Sequence, residues 1–244
     1  MRIPRICVVD ELAVGAETLL PTQAGEHLAR VLRLERGHPI ILFNGNGREF
    51  RAEISQLSKR AVSARVLEPG DVVERESLLN LTLAQGIARG DKMDLILQKA
   101  TELGISRIVP LTTGRTEVKL DAERLARRMA HWQAVVVGAC EQSGRVRIPV
   151  LEAPTKIGIW ASSLTESDSL RLALDPQGTV SPRALTPFQS ALLVVGPEGG
   201  LSDQDLNILH QAGFVGLRLG PRILRTETAG LAAITALQAI HGDL

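Results

Sequence analysis

The chain has 244 residues, 44% apolar and 23% charged, the balance of a folded globular protein of one large or two small domains. Its formal net charge of +1 excludes a global basic field, so any nucleic-acid site must be a local patch. No apolar run nears the roughly 20 residues of a membrane span, the opening "MRIPRICVVDEL" is too interrupted for a signal peptide, and two cysteines with unclustered histidines point to a reducing cytoplasmic setting and no metal site.

Residues 1 to about 70 read as β. "HPIILFNGNGREFRAEISQL" is an apolar strand, an Asn-Gly-Asn-Gly turn and an alternating strand, which is a hairpin signal. "RAVSARVLE" (Arg60–Glu68) is another alternating strand. Before them, "QAGEHLARVLRL" (Gln23–Leu34) reads as a helix with Leu28, Val31 and Leu32 on one face. "EPGDVVERES" (Glu68–Ser77) is polar, contains Pro69-Gly70, and reads as a linker.

Beyond it strands alternate with helices. "LLNLTLAQGI" (Leu78–Ile87) is a strand, and "DKMDLILQKATELG" (Asp91–Gly104) a helix with an Asp cap and a terminal Gly. "SRIVPLTT" is a short strand, and Asp121–Gly144 a long amphipathic helix opened by Asp121. "SLRLALD" (Ser169–Asp175), "ALLVVG" and "VGLRLG" are strands; "SDQDLNILHQAG" and Glu227–Ile240 are helices. This alternation predicts an α/β domain with a mostly parallel sheet. The last helix carries no charge from Thr228 to Ile240, which predicts burial on every side, in a subunit interface or the domain centre.

Three strands of the last third empty into loops: Asp175-Pro176-Gln177-Gly178, Gly196-Pro197-Glu198-Gly199-Gly200, and Gly220 to Glu227. In open α/β sheets ligands sit at the carboxyl ends of strands, so these loops are expected to converge. The first is adequately read as a plain turn. The second and third hold more than a turn needs, and the third puts two arginines and Thr-Glu-Thr at the start of an apolar helix. The patterns for dinucleotide binding, phosphate loops and nucleophile elbows are absent. With four Phe, two Trp and no Tyr, the chain has little material for stacking single-stranded RNA.

"VVGPEGGLSDQDL" followed by "LRLGPRILRTETA" resembles the carboxyl-terminal half of the 16S ribosomal RNA uridine N3-methyltransferase family, within the SPOUT class. "EHLARVLRLERG" (Glu26–Gly37), "QKATELGISRIVPL" (Gln98–Leu111) and "ACEQSGR" (Ala139–Arg145) extend the resemblance over nearly the whole chain. One departure is "TTGRTEVKL" (Thr112–Leu120), where the family is expected to be serine-rich; Gly114 and Glu117 bear there on RNA contacts and not on the chemistry.

The resemblance implies a PUA-like β-barrel over residues 1–72 and a trefoil-knotted α/β domain over 73–244, paired as a homodimer through the knotted domain. It implies S-adenosylmethionine as cofactor, held by Leu174, Gly196, Pro197, Gly199, Gly200, Leu219, Gly220, Ile223, Leu224 and Thr228. The implied partner is 16S ribosomal RNA in the 30S subunit. Methylating N3 of uridine requires an exposed base, loss of the imide proton, and a partner for the charge left on the ring oxygens. Glu198 or Glu227 is the candidate proton acceptor, and Arg225 or Arg222 the anion stabiliser. Turn formation by Glu198 and dipole complementation by Glu227 are equally good readings. Arg5, His27, Arg30 and Arg33, with Arg2 and Arg36, form the candidate RNA patch, and Arg124, Arg127 and Arg128 a weaker one. Two other functions fit less of the chain: a SPOUT enzyme on another RNA, and a non-catalytic assembly factor.

Overall fold

The computed structural model describes residues 3–58, 61–70, 75–117, 122–165 and 169–244. Arg2, part of the expected linker, the last residues of Thr112–Leu120 and the helix-opening Asp121 lie outside them. The chain divides into two compact units, Met1–Glu76 with Cys140–Ile148, and Ser77–Ala139 with Pro149–Leu244.

In the first unit, β1 (Arg5–Cys7), β2 (Glu17–Leu19), β3 (Pro39–Phe43), β4 (Glu49–Leu57) and β5 (Val62–Pro69) form one sheet in the order β1-β3-β4-β5-β2. The expected hairpin joins β3 to β4. Its turn is made by Asn44 and Asn46, which accept the amides of Asn46 and Arg48, with Gly45 and Gly47 at φ of 82° and 94°. Alternation along β4 and β5 turns Phe50, Ala52, Ile54, Val62, Ala64 and Val66 into a core shared with Ile6, Leu28, Ile40 and Leu42.

The predicted helix at Gln23–Leu34 is only partly formed. The helix α1 (Thr22–Glu26) widens into a π turn over His27–Val31, closed by the Leu32 amide on the His27 carbonyl at 3.0 Å. The wider turn changes which residues share a face: Leu28 is fully buried, while Val31 is 66% exposed and Leu32 40%. Arg33 takes a left-handed φ of 52° where the turn ends.

Arg5 and Arg145 are buried in this unit. Arg5 pairs with Glu49, donates to the carbonyls of Gly144 and Arg145, and lies 5.1 Å from the Phe43 ring. Glu76 accepts Nε and Nη2 of Arg145 at 2.9 and 2.8 Å and the amides of Val146 and Arg147, both at 2.9 Å. This explains why "ACEQSGR" is a motif: its arginine is a buried ion. Cys7 and Cys140 are free and buried, and burial pushes their thiols up to about 11 and about 12.

The second unit is built on β6 (Asn80–Gly86), β7 (Arg107–Thr112), β8 (Val150–Leu151), β9 (Thr155–Lys156), β10 (Leu170–Leu174), β11 (Ser190–Val195) and β12 (Val215–Leu217). The strand order is β12-β10-β11-β6-β7-β8, with β9 also on β7, and every pairing is parallel. Parallel strands buried on both faces read as continuous apolar runs, as "ALLVV" does. The helices are α2 (Asp91–Glu102), α3 (Ala122–Ser143, entering the first unit at Cys140), α4 (Ile157–Ser163), α5 (Asp203–Gln211) and α6 (Thr226–His241). β8, β9 and α4 are too short to leave a periodic signal, yet α4 supplies Ile157 and Trp160 to the core with Leu209 and Phe214. No helix among the described residues is long and apolar enough to cross a membrane.

Two expectations are adjusted. Gly90, not Asp91, is the cap of α2, and Asp91 is its first helical residue, while Gly104 ends the helix at φ 87° as expected. Within one chain α6 is not buried on every side: Thr228, Thr235, Ala239 and Ile240 are exposed.

Glu76 holds both the buried Arg145 guanidinium and the amides of Val146 and Arg147. We expect Glu76→Ala to cost about 3 kcal/mol in urea denaturation. Adding Arg145→Met is expected to recover part of that loss, because a buried charge is then gone.

Candidate active site

β12, β10 and β11 lie side by side and parallel, so the segments leaving their carboxyl ends emerge together. They enclose a cavity of about 610 Å³. Of the expected cofactor residues, Leu174, Gly196, Pro197, Gly199, Gly200, Leu219, Gly220, Ile223 and Leu224 line it. Thr228 does not. Its side chain is exposed on α6, and its amide donates to the Arg225 carbonyl at 2.9 Å in the helix start. Ile223 is 84% exposed, which leaves mainly its backbone to face a ligand.

The glycines are there for contact. A Cβ on Gly196 would lie 2.7 Å from backbone atoms of Gly200 and Leu201, and one on Gly86 2.5 Å from the Pro197 ring. The Gly200 amide donates to the Pro197 carbonyl at 2.8 Å, with Gly200 at φ 70°. Beneath this turn the Thr226 hydroxyl donates to the Gly196 carbonyl at 2.6 Å and accepts Gln85 Nε2 at 3.0 Å. Gln85 also donates to the Gly86 carbonyl at 2.9 Å. Three separate segments are thus tied together behind the wall. After the turn, Ser202 and Asp205 form the capping box that opens α5, as the sequence pattern predicts.

Sequence reasoning missed Gln85, whose one signal is a polar residue inside an apolar strand. It missed Lys92 and Arg115 as well. Arg115 belongs to the departing stretch, and its Nη1 donates to the Gly199 carbonyl at 2.8 Å. That stretch is fastened to α5 too, since the Gly114 amide reaches Asp205 at 3.2 Å. Glu117 pairs with the Arg89 guanidinium.

Glu198 and Arg225 line the cavity, whereas Glu227 does not. Glu198 Oε1 accepts the Arg89 amide at 3.0 Å and lies 3.4 Å from Lys92 Nζ. Partial burial pushes this carboxyl up, but the hydrogen bonds from the Arg89 amide and from its own amide, and the Lys92 ammonium, outweigh it and hold it below the usual range. Glu227 Oε2 lies 3.7 Å from the same ammonium and is buried without a hydrogen-bond partner. Lys92 therefore stands between the two acids. Arg222 joins Arg225 on the cavity wall.

The candidate RNA residues separate. His27, Arg30 and Arg33 are exposed at the π turn, with Arg30 3.7 Å from Glu26. Arg5 is corrected: at 8% exposure, with Glu49 and two carbonyls as partners, it is a structural ion. On α3, Arg127 pairs with Glu123 and Arg128 lies over Trp132. His131 Nε2 lies 2.6 Å from Asp94 Oδ2.

The profile of the RNA methyltransferase domain matches residues 74–238, and that of the RNA methyltransferase PUA domain residues 20–67. The chain belongs to the RNA methyltransferase family. Within that family it is 32% identical to ribosomal RNA small subunit methyltransferase E of Buchnera aphidicola subsp. Schizaphis graminum, covering 100% of this chain and 98% of the relative. It is 33% identical to the Bacillus subtilis protein of the same name, with 89% of each chain covered. Two solved structures cover both chains in full. One is the ribosomal RNA small subunit methyltransferase E of Neisseria gonorrhoeae bound to S-adenosyl methionine, at TM-score 0.91 and 37% identity. The other is a Legionella pneumophila protein in complex with the cofactor SAM, at TM-score 0.95 and 40% identity. The PUA-like first unit and the parallel-sheet second unit are the architecture of this family, a SPOUT one.

Glu198 pins the glycine turn as an anion. Its lowered pKa means that it stabilises the fold above the ordinary carboxylate value of 4.5, and that this is lost as pH falls through the lower folded value. Thermal melts of Glu198→Gln should therefore fall below the parent at neutral pH and converge with it in acid.

Proposed function

We propose that the chain transfers a methyl group from S-adenosylmethionine to N3 of a uridine in small-subunit ribosomal RNA, on the assembled or assembling 30S subunit. The observation that carries this is the cavity at the carboxyl ends of β10, β11 and β12, in a chain alike over its full length to relatives solved with that methyl donor. The residues present fit such a ligand. Glycine backbone forms one wall, packed too closely at Gly196 for a Cβ, and Leu174, Leu217, Leu219 and Leu224 offer apolar surface for a nucleoside. Bound there, the donor supplies an electrophilic methyl carbon.

What this chain does is bind, orient and handle charge. As the uridine N3–H bond gives up its proton, negative charge spreads onto the ring oxygens. Arg225, on the cavity wall and ahead of α6, offers the guanidinium fork to that charge. Glu198 is a poor proton acceptor, because the Arg89 amide and Lys92 engage its carboxylate and its pKa is lowered. Glu227, which keeps an oxygen without a hydrogen bond among the described residues and has Lys92 beside it but does not line the cavity, is the other candidate acceptor. The charge-free outward face of α6 suits pairing of two copies through a knotted second unit, and the exposed His27, Arg30 and Arg33 suit RNA phosphates.

Methylation at N3 blocks base pairing, so primer extension on ribosomal RNA locates it. The stop is expected to vanish in a strain lacking this protein, to return with the wild-type chain, and not to return with Arg225→Ala. Purified Arg225→Ala should keep its melting temperature and lose about a hundredfold in turnover. A stop that persists in the deletion strain would overturn the uridine assignment. For the first unit, Arg30→Ala with Arg33→Ala should flatten the slope of log affinity against log salt by about one to two.

A further inference from the structure

The cavity carries more positive charge than a methyl donor can use. Arg115, Arg218, Arg222 and Arg225 all line it, and none has a carboxylate partner among the described residues. Two acids stand on its wall against these four guanidinium groups and Lys92. Glu198 faces Lys92 at 3.4 Å, and Asp175 Oδ1 accepts the Gln177 amide at 2.8 Å within its own turn. S-adenosylmethionine carries a sulfonium and an ammonium against one carboxylate, so it is itself a cation. One guanidinium satisfies its carboxylate, and the remaining ones repel it in a partly desolvated cleft.

These arginines are also held in place. Arg115 donates one N–H to the Gly199 carbonyl at 2.8 Å, and a Cβ on Gly199 would sit 3.1 Å from the Arg115 Cβ, so its stem packs along that glycine. Arg218 Nε reaches the Gly220 carbonyl at 3.3 Å. Each is anchored by one donor to a glycine carbonyl of the cavity wall, one on either loop, and keeps other donors of its fork for a ligand. Arg222 is exposed and lines the same cavity, on the loop that follows β12. Cations anchored to carbonyls rather than acids, on a concave wall, suit an anion that arrives from outside. RNA brings one phosphate per nucleotide.

We propose that Arg115, Arg218 and Arg222 seat phosphates of the RNA strand beside the target nucleotide, and that filling this seat raises the affinity of the cavity for its cationic methyl donor. The inference rests on the reading of the cavity as a methyl-donor site. Because coupling is reciprocal, the donor raises RNA affinity by the same factor. The spent donor, S-adenosylhomocysteine, has lost the sulfonium charge, so RNA favours it less.

Calorimetric titration of the full chain with each nucleoside, alone and with a dodecameric oligouridylate, tests this. The oligouridylate is expected to tighten S-adenosylmethionine about fivefold or more and S-adenosylhomocysteine less than about twofold, and high salt should erase the difference. In the Arg115→Gln, Arg222→Gln variant the coupling should vanish, while S-adenosylmethionine binds the free protein more tightly than it binds the parent. A merely structural role for these arginines predicts the opposite, weaker binding of both nucleosides. Equal tightening of both nucleosides by the oligouridylate, or coupling that survives in the variant, would overturn the phosphate seat and leave the methyl-donor reading standing. Failure of either nucleoside to bind in any condition would sink that reading, and this proposal with it.

Discussion

The Gly196 carbonyl is the point on which the second unit's site depends. It receives the Thr226 hydroxyl at 2.6 Å, and that hydroxyl in turn receives the amide of Gln85. One short chain of hydrogen bonds thereby joins the end of β6, the end of β11 and the first turn of α6, three segments far apart in sequence. Gln85 and Thr226 are both buried, so these bonds are shielded from water and stronger for it, while Gln85 Oε1 is left without a partner among the described residues. A wall made of glycine backbone has no side chains to stiffen it. Its rigidity comes from this network behind it and from the Pro197 ring packed on Gly86. The same constraint forbids a Cβ at Gly196, and so the glycines follow from the packing before any ligand is considered.

Charge is arranged around that wall in two layers. Beside the turn, Lys92 lies between Glu198 and Glu227, and Arg89 gives its amide to Glu198 and its guanidinium to Glu117. These groups neutralise one another and hold the turn against α2. Facing the cavity, the arginines have only carbonyls or no partner among the described residues. The distinction separates residues charged for the fold from those that, on the proposal above, are charged for a ligand. Arg5 and Arg145 in the first unit belong wholly to the former kind.

Much of this was legible in the residues, for physical reasons that differ by element. Strands of the parallel sheet are long apolar runs, and α5 announces itself through Ser202 and Asp205, so these were readable. β8, β9 and α4 were not, because two-residue strands and a seven-residue helix fall below the length at which periodicity speaks. The π turn was misread as helix because its residues have helical composition, and only the i to i−5 bond of Leu32 reveals the change in winding. Within the site, the glycines and Arg225 were legible from local sequence. Lys92, Arg115 and Gln85 were not, since each acts on a loop brought near by topology alone. Arg5 failed for the same reason in reverse: an arginine near the terminus looks exposed until Glu49 and the Gly144 carbonyl are seen to enclose it.

The division between backbone and side chains also accounts for a puzzle in the sequence. A glycine-rich turn between a buried strand and a helix ordinarily suggests a nucleotide, yet the lysine and the spaced glycines that hold phosphates are missing. On the proposed function the nucleoside in this cavity carries no phosphate, so the turn needs only close approach and shape. Anionic recognition is then left to arginines on the neighbouring loops, which meet the phosphates of a different molecule. Glu198 fits that division: its carboxylate is held by Arg89 and Lys92 below its ordinary pKa, where it fixes the turn and is a poor place to put a proton. On the proposed function, chemistry at the acceptor nitrogen then falls to groups outside the turn, and the turn itself is the surface against which the donor is laid.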